Sequence, residues 1–235
     1  FRTLDEDDAW ELSPAVQALG ELATAKPEVF GRSIVTSNFD PLIEVAIRRA
    51  GGHAWRTSLH VDGTLGLSRA QGCQVVHIHG YWWGSDTLHT GNQLIQNRPQ
   101  LKTSLLDMLT GKTIVVMAYG GWDDILTQTL EGLVSNPGAF PEVIWSFYNQ
   151  SPILSDHLKR ILGPGIARNR VTFYAGIDCR TFLPKLAAEW TQRATKALAS
   201  RPSAPDVAQR SILRLRSPSQ YRHLGRQGRR DQRFG

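Results

Sequence analysis

Short apolar runs and longer stretches with apolar residues at helical spacing follow one another along most of the chain. Such runs are typical of strands, and a run that is apolar throughout indicates a strand buried on both faces of a parallel sheet. Strands that alternate with helices predict an α/β fold, here a Rossmann-like, doubly wound parallel sheet in three layers. The predicted strands lie at the start of 32–49 and at 53–59, 74–79, 113–118, 143–148 and 170–175.

Helices are predicted between these strands from capping residues and apolar spacing. Ser13 and Pro14 are a good cap and first turn for a helix that stops before Pro27, and Pro99 opens another helix that Gly111 ends. Three more are predicted after the glycine pair at 120–121, at 153–162 and after Asp178. Residues 86–95 show no clear period and are predicted to form a loop.

The basic character of the chain belongs to its last 35 residues. The chain has a net charge of +6, but 201–235 hold nine Arg and two Asp, a net of +7, which leaves 18 Lys+Arg and 19 Asp+Glu, a net of −1, before them. We therefore predict three parts: an N-terminal helical segment at 1–31, one domain at 32–199, and a basic tail or linker at 200–235 that is disordered. Nucleic acid is expected to bind, if at all, only through this tail.

Cysteine content and hydropathy restrict the class of protein. Cys73 and Cys179 lie far apart in sequence, which excludes a disulfide framework and a four-cysteine zinc site. No run approaches the roughly 20 apolar residues of a membrane helix, and the polar, acidic N-terminus is unlike the basic and then apolar start of a signal peptide. We expect a cytoplasmic protein without a membrane partner.

Polar residues at the first predicted strand end are candidates for chemistry. Ser37-Asn38-Phe39-Asp40 form the turn between this strand and its helix, and ligands of open α/β sheets bind at such carboxyl ends. Asp40 precedes Pro41 and has two readings of about equal weight, a helix cap or a ligand-facing carboxylate. Asn38 lies before the cap, in the turn itself, and has no capping role to explain it.

A second candidate lies at the end of the 74–79 run. His79 is followed by Gly80 and is a candidate general acid or base, with a hydrogen-bonded structural histidine as the alternative. His77 is expected on the same face of the strand as His79, but no third ligand has convincing spacing, so no metal site is predicted. The aromatic residues at 81–83 are expected either to plug the core edge or to wall a pocket.

Glycines after the 113–118 run suggest a place for a phosphate or ribose. Tyr119, Gly120, Gly121, Trp122 and Asp123 connect a predicted strand to a helix, where backbone N–H groups favour anions. An ordinary strand-to-helix turn is the alternative, and Asp123 is then only the helix cap.

The order of these motifs resembles the SIR2-like domain of bacterial proteins, distant relatives of the sirtuins that are often effectors of antiphage defence. The resemblance covers roughly 32–190. The motifs that carry it are Ser37-Asn38-Phe39-Asp40, His79-Gly80, the run 115–123 and Gly176-Ile177-Asp178.

The resemblance implies that NAD is the substrate and that no metal is needed. In such enzymes Asn38 would contact the nicotinamide ribose and place the attacking water, His79 would be the base, and Asp40 would lie near the nicotinamide. Ser37, Phe39, Gly80, Tyr119 to Asp123 and Asp178 would contact NAD.

Two departures from the family pattern separate possible functions. The family's Gly-x-Gly turn is not found in the first 31 residues, and the zinc cysteines of true sirtuins are missing, which favours a simple NAD hydrolase over a protein deacylase. The alternatives are a regulatory module that binds NAD or ADP-ribose without hydrolysis and a purely structural domain. An activating sensor or protein partner and a homo-oligomer are also expected.

Overall fold

The computed structural model describes residues 10–30, 32–66 and 71–199, with side chains described up to 196. The chain divides after Ala194 into a compact unit that holds all described strands and a second unit, described only as the end of a helix to residue 199. The basic tail at 200–235 lies outside the described residues, so its disorder remains a prediction.

Helices and strands alternate along the described chain, as the apolar pattern predicts. In chain order they are α1 Pro14–Ala25, α2 Pro27–Phe30, β1 Ser33–Thr36, α3 Leu42–Arg49, β2 Ala54–Ser58, β3 Cys73–His77, α4 Gly91–Leu94, α5 Pro99–Leu109, β4 Thr113–Val116, α6 Ile125–Ser135, β5 Glu142–Ser146, α7 Asp156–Ala167, β6 Val171–Tyr174 and α8 Cys179–Ala199.

The strands form two three-stranded sheets with the orders β1-β3-β2 and β4-β5-β6, and every pairing is parallel. Parallel sheets flanked by helices confirm the predicted α/β, Rossmann-like class. In the first sheet Thr36 and Ser58 both lie opposite His77, so the carboxyl ends of its three strands meet at one edge. The loops that follow β1 and β3 therefore emerge side by side.

The first sheet lies between two layers of helices. On one face Cys73 and Val75 of β3 pack with residues of α1 and α3. On the other face Val76 packs with Leu101 and Leu105 of α5 and with the start of α6. All five residues of β3 are buried, which places this strand at the centre of the layered structure.

The second sheet is covered by α6 and α7 on one face, around the fully buried Trp145. The sequence predicts a strand buried on both faces at 113–118, and this is wrong. Val116 is 6% exposed, whereas Val115, on the opposite face, is 57% exposed, and Tyr174 on that face is 51% exposed. An apolar run indicates a strand, but only the packing of other elements decides whether both faces are covered.

Three further predicted boundaries differ because of local hydrogen bonds. The helix predicted at 153–162 begins at Asp156, since the Ser155 hydroxyl accepts the Leu158 N–H at its first turn. The predicted loop at 86–95 contains the short helix α4. At its N-terminus the side chains of Thr90 and Gln93 each accept the backbone N–H of the other residue. The strand predicted at 74–79 ends at His77.

Candidate functional site

A cavity of about 540 Å³ opens beside the loops that follow β1 and β3. Five of the predicted site residues from these two loops line it, together with aromatic and apolar side chains. The lining residues are Trp10, Ser37, Asn38, Phe39, Asp40, His79, Trp82, Leu88, His89, Leu94 and Trp122. The three predicted catalytic residues therefore share one cavity.

The turn after β1 is held by short-range hydrogen bonds that leave its side chains facing the cavity. The Asn38 N–H donates to Thr36 Oγ1 at 3.0 Å, and Asp40 Oδ1 accepts the Leu42 N–H at 3.1 Å. Pro41 stands one residue before α3 rather than in its first turn. Pro41 occupies the N-cap position itself, and Asp40, one residue earlier, accepts the Leu42 N–H with one oxygen and also lines the cavity, so the capping and ligand-facing readings are compatible.

A buried charged network lies directly behind this turn. His77 Nδ1 lies 2.8 Å from the Asn38 carbonyl oxygen, and His77 Nε2 lies 3.0 Å from Glu44 Oε1. Arg56 Nε donates to the same Glu44 oxygen at 2.7 Å. Burial acts to raise the pKa of Glu44, but the contacts with His77 and Arg56 outweigh it and hold that pKa below its ordinary value. Both nitrogens of His77 already have partners, so this ring supports Asn38.

The predicted common face of His77 and His79 is not observed, because the strand ends at His77 and the two rings have different partners. His79 Nε2 lies 3.0 Å from Asp124 Oδ2, with side-chain exposures of 2% and 0%. Across residues 10–30, 32–66 and 71–199, no group of three or more His, Cys, Asp or Glu side chains is placed to hold a metal ion.

Asp124, rather than the predicted Asp123, is the N-cap of α6. Its Oδ1 accepts the N–H groups of Leu126 and Thr127 at 2.9 and 3.1 Å. Burial acts to raise the pKa of Asp124, but contacts with His79 and Tyr119 and the helix N–H outweigh burial and lower it. Asp123 is exposed. The pair of His79 and Asp124 joins the ends of β3 and β4.

The glycine after His79 is explained by the backbone. Gly80 has φ +94° and forms an isolated antiparallel bridge with Thr87, and a Cβ there would overlap the carbonyl oxygen of Asp86. An L side chain is excluded both by the dihedral and by this close approach. Gly80 shapes the turn that presents His79.

The aromatic run at 81–83 divides between core and cavity, so both of its expected roles occur. Tyr81 is 3% exposed, whereas Trp82 lines the cavity. The backbone N–H of Trp82 donates to the Phe39 carbonyl at 3.0 Å. Trp10 meets Trp82 edge to face with ring centroids 5.5 Å apart. Phe39 meets His89 in the same way at 5.2 Å. These rings give the cavity a largely aromatic wall.

The turn after β4 contributes Trp122 to the cavity but not its other predicted residues. Gly121 has φ +71°, and a Cβ there would lie 2.7 Å from Leu158. A Cβ at Gly120 would lie 2.8 Å from Trp122 Nε1. Tyr119 packs against Trp145 with ring centroids 5.8 Å apart. The dihedral angle and packing within the protein therefore account for Gly121, whereas Gly120 is close only to the exposed Trp122 side chain.

Asp178 lies at the start of α8, away from the cavity lining. It is half-buried, and its Oδ1 accepts the Arg180 N–H at 2.9 Å. This is the predicted capping geometry.

A buried guanidinium lies behind the pair of His79 and Asp124. Arg98 is 1% exposed and donates to the Ile78 carbonyl at 2.6 Å and to the Leu59 carbonyl at 3.2 Å. Burial lowers its pKa, while the charges of Asp124 and Asp62 oppose that effect. Arg98 thus brings positive charge toward the buried Asp124 carboxylate.

Sequence reasoning missed four residues of this site: Asp124, Glu44, Trp10 and His89. For Asp124 a signal exists, since Asp124 followed three residues later by Thr127 fits a reciprocal cap that Asp123 cannot form. Glu44 lies at a buried position of a helix where a charge is unusual, which is itself a signal of a buried partner. Nothing local identifies Trp10 or His89.

Comparison with known proteins matches one family. A model of the SIR2-like domain matches residues 32–163, more than half of the chain, and this range contains the loops after β1, β3 and β4. No curated protein matches the chain significantly. No helix within the described part of the chain is long and apolar enough to cross a membrane.

Proposed function

The chain belongs to the SIR2-like domain family, whose members are NAD-dependent enzymes, and we propose that it hydrolyses NAD to nicotinamide and ADP-ribose. The observation that carries this proposal is the single cavity that Asn38, Asp40 and His79 share. An amide, a carboxylate and an imidazole at one site are what the hydrolysis of an N-glycosidic bond requires.

In the proposed reaction the bond between C1′ of the ribose and the pyridinium nitrogen breaks, and its electron pair leaves with neutral nicotinamide. The ribose carbon becomes oxocarbenium-like, so a nearby carboxylate such as Asp40 lowers the energy of the transition state. Water then forms the new bond to C1′, oriented by Asn38, and its proton passes to His79 and on to solvent.

The aromatic wall suits this substrate. Trp82 and Phe39 are held together by a backbone hydrogen bond, and Trp10 packs against Trp82. Aromatic faces attract cations, and the nicotinamide ring of NAD carries a positive charge until the bond breaks.

The test is nicotinamide release from NAD by the full chain, followed by chromatography. We expect His79→Ala to abolish release, and to lower the melting temperature because the buried Asp124 carboxylate loses its partner, so release is compared per folded molecule. His53→Ala, which removes an imidazole that does not line the cavity, is the matched control and is expected to behave as wild type. Full activity of His79→Ala would contradict the proposed role of His79.

The alternative function, NAD or ADP-ribose binding without hydrolysis, would use the same cavity. Of the predicted contacts in the turn after β4, only Trp122 lines the cavity. A binding module predicts a calorimetric NAD titration with measurable affinity and no nicotinamide release.

We also propose that the domain acts as an effector in bacterial antiphage defence, that a sensor domain or protein partner switches it on, and that it forms a homo-oligomer. Consumption of NAD is a reaction that has to be kept off until needed, which is the reason for expecting a trigger. Nicotinamide release measured with and without a candidate activator tests this proposal.

A further inference from the structure

The two carboxylate oxygens of Asp124 make different contacts. Oδ1 accepts the first N–H groups of α6, at 2.9 Å from Leu126 and 3.1 Å from Thr127. Oδ2 lies 3.0 Å from Nε2 of His79. Asp124 is 0% exposed, so neither oxygen is shared with solvent. One buried side chain therefore fixes both the start of α6 and the ring of His79.

These contacts determine which ring nitrogen of His79 carries hydrogen. Neither Nε2 nor Oδ2 has another hydrogen-bond partner in the described part of the chain, and the two atoms lie 3.0 Å apart. An ionised carboxylate only accepts hydrogen bonds, so Nε2 is the nitrogen placed to donate to Oδ2. In the neutral ring the lone pair is then on Nδ1. Within the described ranges Nδ1 of His79 has no hydrogen-bond partner, and the ring lines the cavity.

We infer that Asp124 is the positioning residue for His79, holding the tautomer in which Nδ1 accepts a proton from the cavity. The role of His79 as base rests on the proposed function, whereas the tautomer depends only on the geometry. His77 shows the contrast: both of its nitrogens are engaged, by Glu44 and by the Asn38 carbonyl.

The surroundings of Asp124 keep it charged, as this role requires. The helix N-terminus provides two N–H donors and the positive end of the helix dipole. The Arg98 guanidinium adds a buried positive charge behind it. A neutral carboxylic acid at this position would leave the tautomer of His79 undetermined, because its O–H can also donate.

Asp124→Asn separates the two contacts of Asp124. Asparagine caps helices as well as aspartate does, so its oxygen is expected to remain at the N–H groups of α6. Its NH₂ group then faces His79 and donates to Nε2, which forces hydrogen onto Nδ1. The base would present an N–H to the cavity instead of a lone pair.

The first readout is the tautomer, measured by long-range ¹H–¹⁵N NMR on the full chain, with His79→Gln to assign the signals. We expect wild type to carry hydrogen on Nε2 and Asp124→Asn to carry it on Nδ1. Since this readout needs no enzyme activity, it tests the inference even if the proposed function fails.

The second readout is nicotinamide release. We expect Asp124→Asn to lower the rate by about 100- to 10,000-fold, the range for loss of a positioned base, with NAD affinity of the folded protein within a few fold. Its melting temperature is expected to fall, because the variant loses the charge at the N-terminus of α6. Ser155→Ala is the matched control, because it removes the cap of a neighbouring helix without touching His79. It is expected to release nicotinamide at the wild-type rate.

Three results would overturn the inference: hydrogen on Nδ1 in wild type, an unchanged tautomer in Asp124→Asn, or wild-type turnover by that variant. If Asp124→Asn fails to fold, the wild-type spectrum alone decides. The expected tautomers in a protein that releases no nicotinamide would support the inference and count against the proposed function.

Discussion

Replacing Glu44 with Gln tests the buried network behind Asn38. The Glu44 side chain is 1% exposed, and its Oε1 lies 3.0 Å from His77 Nε2 and 2.7 Å from Arg56 Nε. Gln keeps the volume but removes the charge that both partners face. Removing one partner of a buried pair typically costs about 3 to 5 kcal/mol.

The partial exposure of Arg56 places the expected cost at the lower end of this range. The Arg56 side chain is 27% exposed, so water can solvate the guanidinium once the carboxylate is gone. The His77 side chain is 0% exposed, so water cannot replace its lost partner. We therefore expect the free energy of unfolding to fall by about 3 kcal/mol. For a domain of this size that corresponds to a melting temperature lower by about 6 to 12 °C.

Urea unfolding and calorimetry of the full chain measure this loss. Glu131→Gln is the matched control, because Glu131 pairs with Arg160 on the surface, with side-chain exposures of 38% and 60%. Exposed pairs contribute at most about 1 kcal/mol, so this variant should melt near wild type. A Glu44→Gln protein that melts within 2 °C of Glu131→Gln would refute the role of the network.

The other predictions concern acid stability, the turn after β1 and the glycine pair at 120–121. Glu44 and Asp124 have lowered pKa values in the folded protein, so the unfolded chain binds protons first on acidification. The stability that these two carboxylates contribute is complete above the ordinary carboxyl pKa of about 4 and is lost as pH falls through their lower pKa values in the folded protein. Urea unfolding midpoints measured from pH 7 to pH 3 should therefore fall steeply at the acid end, and less steeply in Glu44→Gln. Asp40→Asn preserves the cap of α3, so nicotinamide release that falls in this variant, and further in Asn38→Ala, marks a role beyond capping, whereas wild-type kinetics would reduce Asp40 to a cap. Gly121→Ala should lower the free energy of unfolding by about 1 to 3 kcal/mol, because φ is +71° and a methyl group would meet a packed side chain, while NAD affinity of the folded fraction stays unchanged by calorimetry.

Local sequence rules predicted the elements well where a single residue decides the boundary. Ser13 and Pro14 start α1, and Pro99 starts α5, because an N-terminal cap and a proline in the first turn act through nearest neighbours alone. The strands followed from short apolar runs, and their alternation with helices gave the class. These features depend on contacts within a few residues, which a sequence displays directly.

Burial of a strand face depends on distant elements, and there prediction failed. Val115 and Val116 are the same residue type in the same run, yet one is exposed and the other buried. The pairing of Asp124 with His79 has the same origin. The spacing to Thr127 can identify Asp124 as the cap of α6, but only the fold brings His79, 45 residues earlier in the sequence, to Asp124.

The end of β3 separates two histidines, two residues apart, into different tasks. His77 is the last residue of the strand, and its ring is enclosed with Glu44 and the Asn38 carbonyl. His79 follows in a turn that Gly80 reshapes, so its ring meets Asp124 at the end of the other sheet and reaches the cavity. If β3 continued for two more residues, its side chains would keep alternating between the two faces and both rings would lie on one face. The early end of β3 therefore lets one histidine hold the turn of Asn38 while the other faces the ligand. A carboxylate lies beside Nε2 of each ring, and the Asn38 carbonyl engages the second nitrogen of His77.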